Sequence, residues 1–235
     1  ASAINANLSS MCDDIAALPA STAYPWMVHR EAVKGPDGET KEQLCRVENF
    51  VKTHHGWGHV SGRANAVVSQ LFREPSVLFK DKINFKGPGG GGFLPHQDAT
   101  AYEVGDLASR HISVMVAIDP APTMKHGPVE MAPARHLDGV LPNEAGVIDS
   151  DVVAKMEFEP CLVESGDMVF FCSYAPHRST RNDTEHTRRL AYLTYNPLGE
   201  GDLHGPYYRK KHEAMASGGA GSISINKDFG GSIVS

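Results

Sequence analysis

Apolar residues recur at helical spacing only in the first third of the chain. Ile4, Leu8, Met11, Ile15 and Leu18 fall three to four apart, so Ala1 to Ala20 reads as a helix that Pro19 ends. Val67, Val68, Leu71 and Phe72 supply the stripe of a second helix, closed by Glu74-Pro75. Between these helices, Tyr24 to Val28 is short and extended, and Lys34 to Gly38 has the composition of a turn or flexible loop. Gln43 to Phe50 alternates as a strand, with Leu44, Arg46 and Glu48 on one face and Cys45 and Val47 on the other.

From Val77 the period changes from helical to alternating. Val77 to Lys86 puts Lys82, Asn84 and Lys86 on one face and Ile83 and Phe85 on the other. Further strands are expected at Arg110–Asp119, Gly127–Pro133, Phe158–Val163, Asp167–Cys172 and Arg188–Asn196, with Ala175–Ser179 a turn into a strand end. Ala134 to Lys155 reads as loop with a short helix at Ser150–Lys155, and Tyr207–Met215 as a helix in an otherwise irregular end. Two helices followed by many short strands with Gly/Pro turns predict a mainly β fold. The expected architecture is a double-stranded β-helix, a jelly roll, flanked by α-helices. One domain covers 1–235: N-terminal helices to about 76, a jelly-roll core over about 77–200 and an irregular tail over 201–235.

Composition narrows the function classes. A net charge of -6 and a pI near 6.0 give no basic footprint for nucleic acid. No apolar run approaches the ~18–20 residues that span a bilayer. The first twenty residues carry Asp13 and Asp14 and do not resemble a signal peptide. Four widely separated cysteines without a Cys-x-x-Cys point to thiols in a reducing cytoplasm.

The chemistry concentrates after the glycine-rich bend Gly87-Pro-Gly-Gly-Gly-Gly92. There His96 and Asp98 stand two apart, so on an extended chain they share a face while Gln97 points away. An imidazole and a carboxylate converging on one point are two-thirds of a facial iron site, which leaves positions open for oxygen and a co-substrate. A jelly roll places an early strand opposite a late one, which makes His177, after the apolar run Met168–Cys172, the candidate third ligand. Arg188 and Arg189 open the last strand on opposite faces, so one of them enters the barrel, where a guanidinium can pair with a dicarboxylate. The cluster His54, His55 and His59 reads as exposed imidazoles leading into a helix rather than as a metal site.

The run His96-Gln-Asp98, then His177-x-Ser179-x-x-Asn182, Arg188-Arg189 and Tyr195-Asn196 resembles the phytanoyl-CoA dioxygenase-like branch of the iron(II)/2-oxoglutarate oxygenases. Lys125–His136 is similar to that family's Asn-Gly-x-x-x-x-x-Pro-Gly-Ser-His signature, with His126 in place of Asn and Ala134-Arg135 in place of Gly-Ser. The resemblance covers about Lys82 to Asn196. It implies iron(II) on His96, Asp98 and His177, with 2-oxoglutarate and O2 as co-substrates. Family spacing selects Arg188 as the 2-oxoglutarate anchor. One of Lys82, Asn84 or Lys86 is a further candidate for the co-substrate, as are Ser179 and Thr194. Halogenating relatives lack the carboxylate ligand, so Asp98 implies hydroxylation or a related oxidation.

The chain is also similar to the aminoalkylphosphonate dioxygenases of this family, which implies a small-molecule substrate oxidised at the carbon next to phosphorus. Gln97, Tyr102, Arg30 and Asn226 are the expected substrate contacts, and Lys82, Lys86, Arg30, Arg178 and Arg181 are cations available to a phosphonate dianion. The competing readings are a hydroxylase of another small metabolite, a cupin metalloenzyme without 2-oxoglutarate, and a non-catalytic ligand-binding jelly roll.

Overall fold

The computed structural model describes residues 2–17, 26–34, 39–103, 109–216 and 233–234. Helix α1 (Ser2–Ala16) is followed by β1 (Met27–Lys34), β2 (Thr40–Glu48), α2 (His55–Phe72), β3 (Ser76–Lys86), β4 (Phe93–His96) and the short α3 (Ala99–Glu103). Then come β5 (Ile112–Ala117), β6 (Val129–Met131), the hairpin β7 (Asn143–Glu144) and β8 (Val147–Ile148), α4 (Ser150–Val153) and β9 (Glu159–Pro160). The chain closes with β10 (Met168–Cys172), β11 (His177–Ser179), β12 (Arg188–Pro197), α5 (His204–Ala216) and β13 (Ile233–Val234).

The strands form two antiparallel sheets, a jelly roll. The larger runs β10-β5-β12-β3-β2-β1-β13 and the smaller β7-β8-β4-β11-β6-β9. Strand β12 shows how the sequence divides its two faces. Ala191, Leu193 and Tyr195 point outward into a core shared with Leu8, Cys12 and Ile15 of α1 and Trp57, Ala64 and Val68 of α2. Leu190 and Tyr192 point inward and pack with Met115, Ala117, Val129, Val163 and Phe171 between the sheets. Each fully buried aliphatic or aromatic side chain contributes roughly 1.5–3 kcal/mol, so the outer core fastens the helices to the sheet that carries the inner, polar row.

Several expectations change. The buried stripe of α2 is Trp57, Ser61, Ala64 and Val68, whereas Val67 and Leu71 are 41% and 55% exposed. Small residues let the helix approach β12 closely, with Ser61 hydrogen-bonded to the Tyr195 hydroxyl at 2.9 Å. Strands β1 and β2, placed by sequence ahead of the barrel, belong to the larger sheet. The helix expected at Tyr207–Met215 is α5 and starts earlier, at His204, while Val234 and Ile233, in the stretch read as irregular, pair with Val28 and His29. Within Phe158–Val163 the ladder spans Glu159–Pro160 alone, with Val163 making an isolated bridge to Ala121. His55 and His59 are exposed, as expected, but they lie on α2 itself rather than on a loop before it, and His54 is half-buried. Pro19, Tyr24, the 35–38 turn and Asn226 lie outside the described residues.

Candidate active site

The glycine bend sets two strands against each other. A Cβ on Gly92 would collide with the Ser179 carbonyl oxygen, so only glycine lets the start of β4 lie this close to β11. Once they are paired, His96 and His177 are directly opposite across the ladder, with ring centroids 4.1 Å apart. Asp98 is not on the strand. It sits in the turn that opens α3, where the Ala101 N–H donates to the Asp98 carbonyl at 3.0 Å and the Ala99 N–H to Ser173 at 2.9 Å. The turn still carries the carboxylate to the same point: ligand atoms of His96, Asp98 and His177 all lie within 4.8 Å of one another, and all three residues are buried.

The imidazoles are set for coordination. His96 Nδ1 is 2.7 Å from the Leu94 carbonyl and His177 Nδ1 is 3.0 Å from that of Ala175. A carbonyl oxygen only accepts, so each Nδ1 carries the proton and each Nε2 keeps its lone pair. Burial, reinforced by His177, pushes the His96 pKa down to about 3, and burial lowers that of His177. Both rings are therefore neutral ligands at neutral pH. Burial opposes ionisation of Asp98, but Lys82 above all, then His177 and Lys80, hold its carboxyl well below the usual range. Two neutral imidazoles and one carboxylate, converging in a buried pocket, fit iron(II).

Arg188 and Arg189 divide as alternation requires. Arg189 faces outward and grips Asp119 through Nε at 2.7 Å and Nη2 at 2.8 Å, and it also reaches Ser9 and Asp13 of α1. Arg188 faces inward and is 4% exposed, and its Nε and Nη1 have no hydrogen-bond partner among the described residues. Such atoms are costly to bury unless something accepts from them, and a carboxylate fits. Opposite Arg188 in register, Lys86 donates to Ser179 Oγ at 2.8 Å and to the Thr180 carbonyl at 2.6 Å.

The other expected contacts separate into two groups. Lys82, Asn84, Gln97, Arg178 and Ser179 line the same cavity as the triad. Gln97 points away from Asp98, as expected, but its amide is fully engaged: Nε2 donates to Gly139 and Tyr174, and Oε1 accepts from Leu141. It fastens the ligand turn rather than reaching for substrate. Tyr102 is packed edge-on against Phe79 at 5.2 Å and does not line the cavity. Thr194 Oγ1 is bonded to Ser113 Oγ at 2.8 Å. Arg30 is half-buried and 3.7 Å from Glu42, and Arg181 is exposed beside Asp183. Sequence reasoning missed Lys80, Arg46 and Tyr192 as cavity residues. Their signal was charge or a hydroxyl on the strand faces opposite Val47, Ile83, Phe85, Ala191 and Leu193.

Comparison with known proteins fits this geometry. The sequence model for phytanoyl-CoA dioxygenase matches residues 3–190. The chain belongs to the phytanoyl-CoA dioxygenase family. The match begins far ahead of Lys82, so the N-terminal helices and first strands are part of the family unit. This membership makes the protein an oxidoreductase of the dioxygenase type.

The chain is 38% identical over 213 residues to a methylphosphonate hydroxylase of Gimesia maris, covering 89% of this chain and 78% of that protein. It is 39% identical over 192 residues to a 2-aminoethylphosphonate dioxygenase of an uncultured bacterium, covering 80% and 71%. Among solved structures, EctD from S. alaskensis with 2-oxoglutarate and 5-hydroxyectoine superposes with a TM-score of 0.65 at 20% identity. That superposition covers 85% of this chain and 68% of that one, a likeness of fold.

Proposed function

We propose that this protein hydroxylates the carbon next to phosphorus in a small phosphonate, using iron(II), 2-oxoglutarate and O2. The observation that carries the reading is the convergence of two Nε2 lone pairs and the Asp98 carboxylate in one buried cavity, with Arg188 buried on the inward face of β12 and its Nε and Nη1 lacking a hydrogen-bond partner among the described residues. His96, Asp98 and His177 would hold the iron, and Arg188, beside Lys86 and Ser179, the distal carboxylate of 2-oxoglutarate. Iron with bound 2-oxoglutarate supplies the oxidising chemistry: one oxygen atom of O2 enters succinate, with loss of CO2, and the other enters the C–H bond. The chain's own residues fix the two imidazole tautomers, keep Asp98 ionised, orient the keto acid and exclude bulk water.

The relatives' activities on phosphonates support the substrate class. A metalloenzyme that does not use 2-oxoglutarate would leave Arg188 Nε and Nη1 without an acceptor. No helix among the described residues is long and apolar enough to cross a membrane, and the four cysteines are free thiols, the form that a reducing cytoplasm maintains.

The test is oxygen uptake and succinate release by iron-reconstituted protein given methylphosphonate, 2-aminoethylphosphonate or matched carboxylates. Phosphonate-dependent succinate formation is expected. Turnover with a carboxylate but with neither phosphonate would refute the substrate class, and succinate formation without iron would refute the mechanism.

A further inference from the structure

On the proposed phosphonate-hydroxylase reading, one face of the cavity remains without a task. Arg46 on β2 and Lys80, Lys82 and Asn84 on β3 all line it, and Arg46 is paired in register with Asn84. Their chemistry is one-sided. Arg46 Nε donates to Asn84 Oδ1 at 3.0 Å, which uses the amide's acceptor and leaves Nδ2 as a donor. Lys80 is 3% exposed, its ammonium 4.9 Å from the Tyr102 ring centroid, and Lys82 lies 4.9 Å from that of Tyr192. Neither ammonium has a protein hydrogen-bond acceptor among the described residues.

Nearby carboxylates do not balance this charge. Glu48 is occupied by Lys211 of α5 at 2.5 Å and by Arg46 Nη1 at 3.5 Å. Asp98 belongs to the metal triad. Lys80 is buried and Lys82 half-buried, and cations held from water without an acceptor are costly, so this pair beside Arg46 points to an anion that completes it. The co-substrate is accounted for at the far end of the same inner row, where Lys86 stands opposite Arg188.

We propose that Arg46, Lys80, Lys82 and the Asn84 amide seat the doubly charged phosphonate head of the substrate. Lys82 and Asn84 then serve the substrate rather than 2-oxoglutarate. Three phosphonate oxygens can take several donors at once, whereas a carboxylate offers two oxygens and a single charge. Glu48, braced by Lys211, is a positioning residue that holds Arg46 against Asn84.

The test is calorimetric titration of iron- and 2-oxoglutarate-loaded protein with methylphosphonate under nitrogen, where binding is read without turnover. Lys80→Met, which leaves the Arg46–Glu48–Lys211 ion group intact, and Arg46→Met should each raise the methylphosphonate Kd about tenfold to hundredfold. In both, the 2-oxoglutarate Kd should change by less than about threefold. Arg181→Gln, on the exposed surface, should change neither. Unchanged methylphosphonate binding in both cavity variants would overturn the seat while leaving the hydroxylase reading standing. An equal loss of 2-oxoglutarate affinity would reassign these residues to the co-substrate. Wild-type protein that binds acetate as tightly as methylphosphonate would overturn selection by a dianion, and wild-type protein that binds no phosphonate would overturn the seat and the proposed substrate class together.

Discussion

Two adjacent arginines, one outward and gripping a carboxylate, one inward with Nε and Nη1 unsatisfied, carry the co-substrate assignment at the scale of single residues. Arg188→Ala should raise the 2-oxoglutarate KM by about tenfold to hundredfold, because a charge-assisted contact is worth about 1.5–3 kcal/mol. Arg189→Ala should leave that KM unchanged and instead lower the unfolding midpoint, since it removes the grip on Asp119 and on α1. Steady-state kinetics on both variants decides the matter, and equal KM effects would contradict the facing. Ala134 provides a separate check. It stands where the family signature has glycine and adopts φ 61°, a left-handed conformation in which Cβ is strained. Ala134→Gly should stabilise the fold by about 0.5–1 kcal/mol, net of the extra freedom glycine has when unfolded. Urea denaturation measures this.

At the scale of elements, the close packing of β4 on β11 sets the distance between His96 and His177. Gly92→Ala would drive a methyl group into the Ser179 backbone and push the strands apart, at a cost of about 1–3 kcal/mol. Iron titration under nitrogen should show weaker binding, although no ligand has been changed. A second prediction concerns His111, at the start of β5, buried against Phe79 and Tyr102 with ring centroids at 4.6 and 4.7 Å. Burial pushes its pKa from 6.5 down to about 4. Below the unfolded value the unfolded chain binds a proton that the folded one refuses. Stability from this residue is therefore complete above about pH 6.5 and falls as pH drops towards about 4. In denaturant titrations at pH 7.5 and 5, His111→Leu should lose less stability on acidification than the wild type does.

Elements also differ in how legible they were. The alternation in β3 and β12 was readable because Ile83, Phe85, Ala191 and Leu193 mark one face of each, and it put Arg188 and Arg189 on opposite faces; the family spacing then selected Arg188. The α2 stripe is less legible because close approach, not hydrophobicity, selects its buried face: Ser61 and Ala64 are buried and Leu71 is not. The turn that carries Asp98 could not be told from a strand, since both bring the carboxylate to the His96 side.

Across the whole molecule, the least legible features are those made by distant segments meeting. Glu48 and Lys211 are 163 residues apart, and neither looks unusual alone. The cation-rich wall appears only when β2, β3 and α5 are brought together. The triad was legible because its residue types are chemically restrictive, and the sheet order explains why an early strand and a late one supply it.

The central claim is that His96, Asp98 and His177 support 2-oxoglutarate-coupled oxidation of a phosphonate. Its most direct test is the ratio of succinate to hydroxylated phosphonate formed by iron-reconstituted protein, measured for the wild type and for His177→Ala under identical conditions. The account predicts a ratio near one for the wild type and neither product from the variant, with its fold retained by circular dichroism. Undiminished formation of both products by His177→Ala would contradict it.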